Sequence, residues 1–397
     1  MTAPKQGSIS GLVKRHFSTV CLPGPGRIGL ALLTTALWGL LPLHLQAGTT
    51  LDAWLENERA ALRLPALGAV IVSDSGVEAI GVSGRRSITH ETPVEHDDRW
   101  HLGSITKSIT ATLAARLVAR GQLDFDDTVG ALLGQLFPDM HQRYHPVTLR
   151  QLLSHRGGMP EDLTGLQYWQ HYDPDTPPVR QRHKMLTEVL AAPPLNRPGR
   201  RQRYSNAGYV AAAIMLEAVS GHSYETLLEQ ELIEPLGLTR TGLGAPGHHS
   251  DQPDQPWGHR IDRTPSEPVP PGPFADHPPA LAPAGTVHAS LADLGHYLRM
   301  HLLGAQQPTE FLPPALFRTL HQPVARGRYA LGWFIQQRPW ASEAILIHEG
   351  SNTRWMAIAL IAPSENLALA LVSNQVPDDL DAFDRLADRL ARSYLLY

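Results

Sequence analysis

The segment Trp100-His101-Leu102-Gly103-Ser104-Ile105-Thr106-Lys107 places a serine three residues before one of only four lysines among the chain's 34 basic residues. Arginine cannot be deprotonated in a protein, whereas a buried lysine can lose its proton and act as a base. On a helix, positions i and i+3 share a face, so the Lys107 amine can reach the Ser104 hydroxyl. The pattern favours a serine activated by a neighbouring base. A surface Ser and Lys on a helix fit the same spacing.

The residues that follow this segment predict a buried helix. Ser104–Arg120 carries apolar residues on several faces, and Gly121 stands at its end. A serine at the start of such a helix meets free backbone N–H groups. This context strengthens the catalytic interpretation of Ser104 and Lys107.

Composition sets the broad class. The chain has 397 residues, of which 42% are hydrophobic, enough for a sizeable core in one large domain or two. Its formal net charge of −4 gives no reason to expect a nucleic-acid partner. The single cysteine, Cys21, lies before an apolar run in the predicted leader, so the mature chain would have neither a disulfide nor a catalytic thiol.

The first 47 residues have the pattern of a signal peptide or leader. Lys14 and Arg27 precede the apolar run Ile28–Leu41, and Leu45-Gln46-Ala47 resembles a cleavage site. We therefore predict a periplasmic or secreted protein. The alternative is an uncleaved anchor, and only in that case would a membrane be a partner.

Residues 48–397 are predicted to form one α+β domain. Strand patterns occur at both ends: a hairpin around Asp74-Ser75-Gly76, and later Tyr329–Gln336, Ala344–Ile347 and Leu367–Ser373. Helical patterns occupy the middle and also cover Leu51–Leu62 and Leu380–Leu395. We expect an antiparallel sheet built from both chain ends, about 51–100 and 325–397, flanked by helices. A mostly helical region, about 101–324, would be inserted between them. Within it, residues 245–283 are rich in Pro, Gly, His and Asp and predict a long loop.

Two further short elements carry side chains suited to catalysis. Tyr204-Ser205-Asn206 precedes a helix predicted from Ala207; tyrosine can transfer a proton, and asparagine can hold a lysine and a substrate amide. A helix N-cap beside a half-buried tyrosine is the alternative. His348-Glu349-Gly350-Ser351 follows the apolar run Ala344–Ile347, and its glycine would let a substrate approach the strand. The alternative is a plain surface histidine.

Ser-x-x-Lys, Tyr-x-Asn and His-x-Gly in this order resemble the signature of the serine β-lactamase and penicillin-binding-protein-like hydrolases. The resemblance is to the branch of class C β-lactamases and D-Ala-D-Ala carboxypeptidases, which includes related esterases. It runs from about Leu51 to the C-terminus. Further segments that fit the family are Gly121-Gln122-Leu123-Asp124, Leu152-Leu153-Ser154-His155-Arg156-Gly157-Gly158, Pro235-Leu236-Gly237-Leu238, Pro283-Ala284-Gly285-Thr286 and Tyr329-Ala330-Leu331-Gly332-Trp333. His155 is expected to end a helix and shape the cleft rather than perform chemistry.

The resemblance implies a β-lactamase/transpeptidase-like fold and a set of roles. Ser104 would be the nucleophile and Lys107 its base, while Tyr204, held with Asn206, would help to protonate the leaving group. His348 would support the hydroxyl network or a substrate carboxylate. The backbone N–H groups of Ser104 and Ser351 would form the oxyanion hole.

The third element departs from the efficient class C β-lactamases, in which a lysine stands where this chain has His348. Strong β-lactamase activity is therefore not expected. A neutral imidazole attracts a carboxylate less than an ammonium does, and Arg354 could supply the missing charge at the substrate, beside Gly350. A surface arginine at a strand start is the alternative interpretation.

No cofactor and no metal are predicted. His248, His249, Asp251 and His259 lack a recognised ligand spacing, so we expect them in a solvated loop. The predicted function is an exported serine hydrolase that forms an acyl-enzyme on amide or ester bonds. Its substrate would be a small molecule or peptide, such as a D-amino-acid peptide, a peptidoglycan fragment or a β-lactam. A carboxylesterase, or a penicillin-binding or cell-wall sensing protein without turnover, are the alternatives.

Overall fold

A six-stranded antiparallel sheet joins the two ends of the chain. The computed structural model describes residues 50–160, 169–170, 172–262, 266–304, 306–325 and 327–396. The predicted leader of residues 1–47 lies outside these residues. None of the helices in the described ranges combines the length and the hydropathy that crossing a bilayer requires.

The helices are named in chain order: α1 (Leu51–Leu62), α2 (Thr106–Ala119), α3 (Val129–Leu133), α4 (Leu149–Leu153), α5 (Pro178–Ala191), α6 (Asn206–Ser220), α7 (Tyr224–Leu228), α8 (Glu234–Leu236), α9 (Ala282–Gly285), α10 (Leu291–Gly304), α11 (Pro314–His321) and α12 (Leu380–Leu395). The strands are β1 (Ala66–Val72), β2 (Val77–Gly84), β3 (Arg99–His101), β4 (Gly242–Leu243), β5 (Gly258–Arg260), β6 (Glu267–Val269), β7 (Val287–Ser290), β8 (Phe334–Gln336), β9 (Ile345–Ser351), β10 (Met356–Ala362) and β11 (Leu367–Ser373).

The order of strands in the main sheet is β2-β1-β11-β10-β9-β8, with antiparallel neighbours throughout. The N-terminal hairpin pairs with the last strand in the register Leu67↔Ser373 to Val72↔Ala368. Most of the helices lie between β2 and β8, where β3, β7 and β4 also form a small separate sheet. The predicted α+β fold, with a sheet built from both chain ends, is confirmed.

Both faces of the main sheet are covered, which explains why its central strands β1, β10 and β11 are buried at every position. Successive side chains of a strand point to opposite faces. Val70 and Val72 accordingly belong to the core shared with the inserted helices, whereas Leu67 and Ile71 belong to the core shared with α1 and α12. Helix α10 packs on β1 and β11 from the face that carries Val70 and Val72. The inserted region therefore rests directly on the sheet.

Two predicted strands have different limits in the structure. The strand predicted over Tyr329–Gln336 is limited to β8, because Gly332 makes a left-handed turn with φ of 86° before it. The strand predicted over Ala344–Ile347 instead continues to Ser351. His348 and Gly350 therefore lie inside β9 rather than beyond its end.

The Pro-rich segment 245–283 is more ordered than a solvated loop. It contains the β5–β6 hairpin, and His259 on β5 is fully buried. The ring of His259 accepts a hydrogen bond from Ile88 N at 3.2 Å through Nε2, and its Nδ1 donates to Asn374 O at 2.8 Å. The prediction of a solvated position was wrong for His259, because backbone groups distant in sequence satisfy both of its ring nitrogens.

Several buried or half-buried histidines are held in neutral form. Burial lowers the pKa of His259 to about 4 and that of His348 to about 3, from an ordinary 6.5. Burial is also the largest cause that lowers the pKa of His277 and His288 to about 4 and that of His321 to about 3. The folded chain cannot bind these protons at a pH where the unfolded chain does.

We therefore expect the free energy of unfolding to fall as the pH is lowered from 6.5 towards 4.5. In this window the unfolded histidines take up protons, and each contributes up to about 1.4 kcal/mol per pH unit. Urea denaturation at pH 7.5, 6.5, 5.5 and 4.5 measures this slope. His321→Gln should reduce the slope by about one proton, whereas the exposed control His222→Gln should leave it unchanged. Equal stability at pH 7.5 and 5.5 would contradict this expectation.

Candidate active site

Ser104 and Lys107 are in contact where the buried helix begins. Ser104 lies in the 3-10 turn Gly103–Ile105, and Lys107 lies in the first turn of α2. The Nζ atom of Lys107 is 3.1 Å from Ser104 Oγ and donates a hydrogen bond to Ala284 O at 2.7 Å. Lys107 is 0% exposed. Such burial disfavours the ammonium form of a lysine, and a neutral amine can accept the hydroxyl proton.

Tyr204 lies beside this pair. The Nζ atom of Lys107 is 4.7 Å from the centroid of the Tyr204 ring. Asn206 is buried and is the first residue of α6, directly after Ser205. The Ser205 hydroxyl accepts a hydrogen bond from Gly208 N at 3.1 Å and donates one to Pro160 O at 2.6 Å. Ser205 is thus the N-cap of α6, and Tyr204 and Asn206 flank it.

His155 fixes the backbone on both sides of Tyr204. Its carbonyl oxygen accepts from Arg203 N at 2.7 Å, and its Nδ1 accepts from Ser205 N at 3.1 Å. The rings of His155 and Tyr204 pack with centroids 4.3 Å apart. Burial holds the pKa of His155 well below its usual range. His155 is therefore a neutral residue that positions Tyr204, a role that the sequence did not reveal.

His348 faces a buried row of hydroxyl groups. Its Nδ1 donates to Glu349 O at 2.6 Å, which leaves Nε2 to accept from the Tyr329 hydroxyl at 3.2 Å. The Tyr329 hydroxyl also lies 3.3 Å from that of Tyr209. Because burial lowers its pKa to about 3, His348 is neutral at physiological pH. This geometry favours a role in the hydroxyl network over attraction of a substrate carboxylate.

The two backbone segments expected to form the oxyanion hole touch each other through glycines. A Cβ atom placed on Gly103 would lie 2.2 Å from Ser351 N, and one on Gly350 would lie 2.0 Å from Leu102 O and 2.8 Å from Ser104 N. Gly103 also has a left-handed φ of 51°. These contacts bring the N–H groups of Ser104 and Ser351 to the same part of the site.

Arg354 lies in the turn that follows β9, three residues after Ser351. It is 9% exposed, and its Nε has no hydrogen-bond partner. In the described part of the chain its guanidinium makes no ion pair. Burial lowers its pKa below the ordinary 12.5 while Asp276 opposes that effect. Arg354 is therefore a partly desolvated cation near the site rather than a plain surface arginine.

The histidines of the Pro-rich segment do not converge on a metal site. His248 pairs with Asp254 at 2.7 Å, His249 contacts Pro271 O at 2.9 Å, and His259 is buried as described above. The absence of a metal or cofactor from the reaction remains a prediction.

Together the sheet, the buried Ser–Lys pair and the facing Tyr–x–Asn element define a β-lactamase/transpeptidase-like protein. Residues 51–393 match the protein family described as Beta-lactamase. The chain belongs to the Beta-lactamase family, a family of serine hydrolases. The resemblance inferred from the three sequence elements is confirmed.

Known proteins similar to the chain share its fold at low identity. Protein flp of Staphylococcus aureus (strain COL) is 21% identical over 328 residues, which cover 82% of this chain and 62% of flp. The D-alanine carboxypeptidase AmpC from Burkholderia cenocepacia has a TM-score of 0.67 at 20% identity, covering 85% of this chain and 96% of its own. A class C beta lactamase from Rhodobacter sphaeroides has a TM-score of 0.68 at 21% identity, covering 86% and 98%. The chain thus spans less than two thirds of flp.

We expect Gly350→Ala to lower kcat/KM for p-nitrophenyl acetate by about 100-fold or more, because its Cβ would push the Ser104 turn away from β9. Gly272→Ala is the matched control, since the nearest atom to its Cβ would be His249 Nδ1 at 3.9 Å. Full activity of folded Gly350→Ala would show that the close contact is dispensable.

Proposed function

We propose that the chain is an exported serine hydrolase that acts through an acyl-enzyme on Ser104. The observation that carries this proposal is the 3.1 Å separation between Ser104 Oγ and the Nζ atom of the fully buried Lys107. The leader-like first 47 residues support export.

The reaction begins with transfer of the Ser104 hydroxyl proton to the neutral Lys107 amine. Oγ attacks the carbonyl carbon, and the N–H groups of Ser104 and Ser351 stabilise the negative charge that develops on the carbonyl oxygen. The bond to the leaving group then breaks, and the proton held by Lys107 passes to that group through Tyr204, whose ring centroid is 4.7 Å from Nζ. A water molecule attacks the acyl carbon, the bond to Oγ breaks as a proton from the water returns to Ser104, and the carboxylic acid leaves.

The proposed substrate is a small molecule or peptide with a carboxylate near the scissile bond, such as a peptide ending in a D-amino acid. Arg354 supports this choice because the residue is only 9% exposed and its Nε has no hydrogen-bond partner. The similar structures named as a D-alanine carboxypeptidase and a class C beta lactamase act on substrates of this class by name. The neutral His348 argues against efficient β-lactam hydrolysis.

A carboxylesterase on the same fold is the second candidate. The neutral His348 favours it, because an ester without a carboxylate needs no cation at the third element. Relative kcat/KM values for p-nitrophenyl esters and D-Ala peptides separate the two. A protein that acylates without turnover would instead keep a stable adduct after fluorescent penicillin, visible by intact-protein mass spectrometry.

We expect Ser104→Ala and Lys107→Arg each to lower kcat/KM by about 1,000-fold or more, because the first removes the nucleophile and the second keeps a cation but no base. The assay is p-nitrophenyl ester hydrolysis, with the acyl adduct followed by intact mass. Lys184→Arg, at an exposed position, is the matched control and should be fully active. Turnover by Ser104→Ala would refute the nucleophile, and an active Lys107→Arg would show that the amine serves only as a charge.

We expect Arg354→Ala to raise KM for a D-Ala-D-Ala peptide by about 10- to 100-fold, as the loss of a charge-assisted hydrogen bond requires. The same peptide with a C-terminal amide is the control, because it lacks the carboxylate. The variant should have similar KM values for both peptides, whereas the wild type should have a lower KM for the acid than for the amide. An equal loss on acid and amide would mean that Arg354 acts only in folding.

A further inference from the structure

Asp276 is a buried carboxylate in the Pro-rich segment, for which the sequence predicted only a loop. It is 6% exposed, and both of its oxygens are engaged. Oδ2 accepts from His101 Nε2 at 2.8 Å, and Oδ1 accepts from Asn352 Nδ2 at 2.9 Å and from His277 N at 2.6 Å. The hydrogen bonds from His101 and Asn352 hold the pKa of Asp276 below its ordinary value despite burial. The two side chains that it holds come from different parts of the fold.

The first partner, His101, connects Asp276 to the backbone next to the nucleophile. His101 ends β3, and its Nδ1 accepts a hydrogen bond from Gly103 N at 3.1 Å. This bond places the ring proton on Nε2, where it is donated to Asp276. Gly103 immediately precedes Ser104, so the carboxylate fixes the backbone that presents the nucleophile and one oxyanion N–H group.

The second partner, Asn352, connects Asp276 to the Ser351 segment of the oxyanion hole. Asn352 follows Ser351, and its Oδ1 accepts from Arg354 N at 3.1 Å and from Trp355 N at 3.2 Å. Its NH₂ group therefore donates a hydrogen bond to Asp276, and the turn after β9 is held in one conformation. The hydrogen-bonded groups on the two sides of Asp276 form a His101 arm and an Asn352 arm. The rings of His101 and Trp355 stack with centroids 5.3 Å apart, which joins the two arms directly.

We propose that Asp276 is a positioning residue that holds the two halves of the oxyanion hole in register. This inference rests on the proposed function, because it concerns the same acyl transfer. Both arms present donors, His101 Nε2–H and Asn352 Nδ2–H, so the residue between them must accept on both sides. An asparagine would turn its own NH₂ group towards one of these donors, and that arm would be released.

The test compares Asp276→Asn with the wild type on p-nitrophenyl acetate and with phenylboronic acid, whose adduct on the serine places an oxygen in the oxyanion hole. We expect kcat to fall by about 10- to 100-fold with KM within about threefold, because the transition state loses aligned donors. The inhibition constant for phenylboronic acid should rise by the same factor as kcat/KM falls. Loss of folding alone would not produce this proportionality.

Asp293→Asn is the matched control. Asp293 is also 6% exposed and accepts hydrogen bonds from Arg240 N at 2.7 Å and Thr241 Oγ1 at 2.9 Å. It should lose stability but keep kcat and the boronate affinity per folded molecule. If Asp276→Asn does not fold, Asn352→Ala, which releases one arm, replaces it in the same comparison.

The outcomes separate the two proposals. A wild-type enzyme that neither hydrolyses an ester nor binds the boronate would refute the proposed function itself. An active wild type, with kcat and boronate affinity of Asp276→Asn and Asn352→Ala equal to those of Asp293→Asn, would overturn only the role of Asp276. A loss of kcat/KM without weaker boronate binding would also overturn it.

Discussion

The site depends on a backbone contact between the turn that carries the nucleophile and strand β9. Gly103 and Gly350 approach so closely that no side chain fits at either position. This contact brings the N–H groups of Ser104 and Ser351 together. The geometry of the proposed oxyanion hole is therefore set by steric exclusion, with the hydrogen bonds of Asp276 as its proposed support.

A buried amine is the second requirement of the site. Lys107 is removed from water, and burial favours the neutral form that the proposed proton transfer needs. The neighbouring imidazoles of His155 and His348 are neutral for the same reason, because burial lowers the pKa of each. They orient Tyr204 and the tyrosine hydroxyl groups, while Lys107 is the proposed base.

The chain differs from the efficient class C β-lactamases in the position of positive charge near the third sequence element, His348-Glu349-Gly350. A neutral histidine on β9 is followed six residues later by Arg354, which is 9% exposed and whose Nε has no hydrogen-bond partner. Asp276 stabilises this cation through its charge, while its oxygens accept hydrogen bonds from His101, Asn352 and the backbone of His277. Under the proposed function, the cation that meets a substrate carboxylate would stand in the turn rather than on the strand.

The sequence by itself determined those features that arise from local periodicity. Helices at Leu51–Leu62 and Leu380–Leu395 and the strand Leu367–Ser373 have the predicted limits, because amphipathic or continuous apolar patterns specify them. The Ser104–Lys107 pair was predictable because the spacing i, i+3 places both side chains on one helical face.

Only the tertiary structure decided the parts that depend on partners distant in the chain. His155 acts on residues about 50 positions away, and the carboxylate of Asp276 joins segments 175 and 76 positions away. Hydrogen bonds of this kind leave no periodic pattern, since each residue alone is compatible with a loop or a helix end. Their roles arise when the fold brings the segments together and burial excludes the water that would otherwise satisfy them.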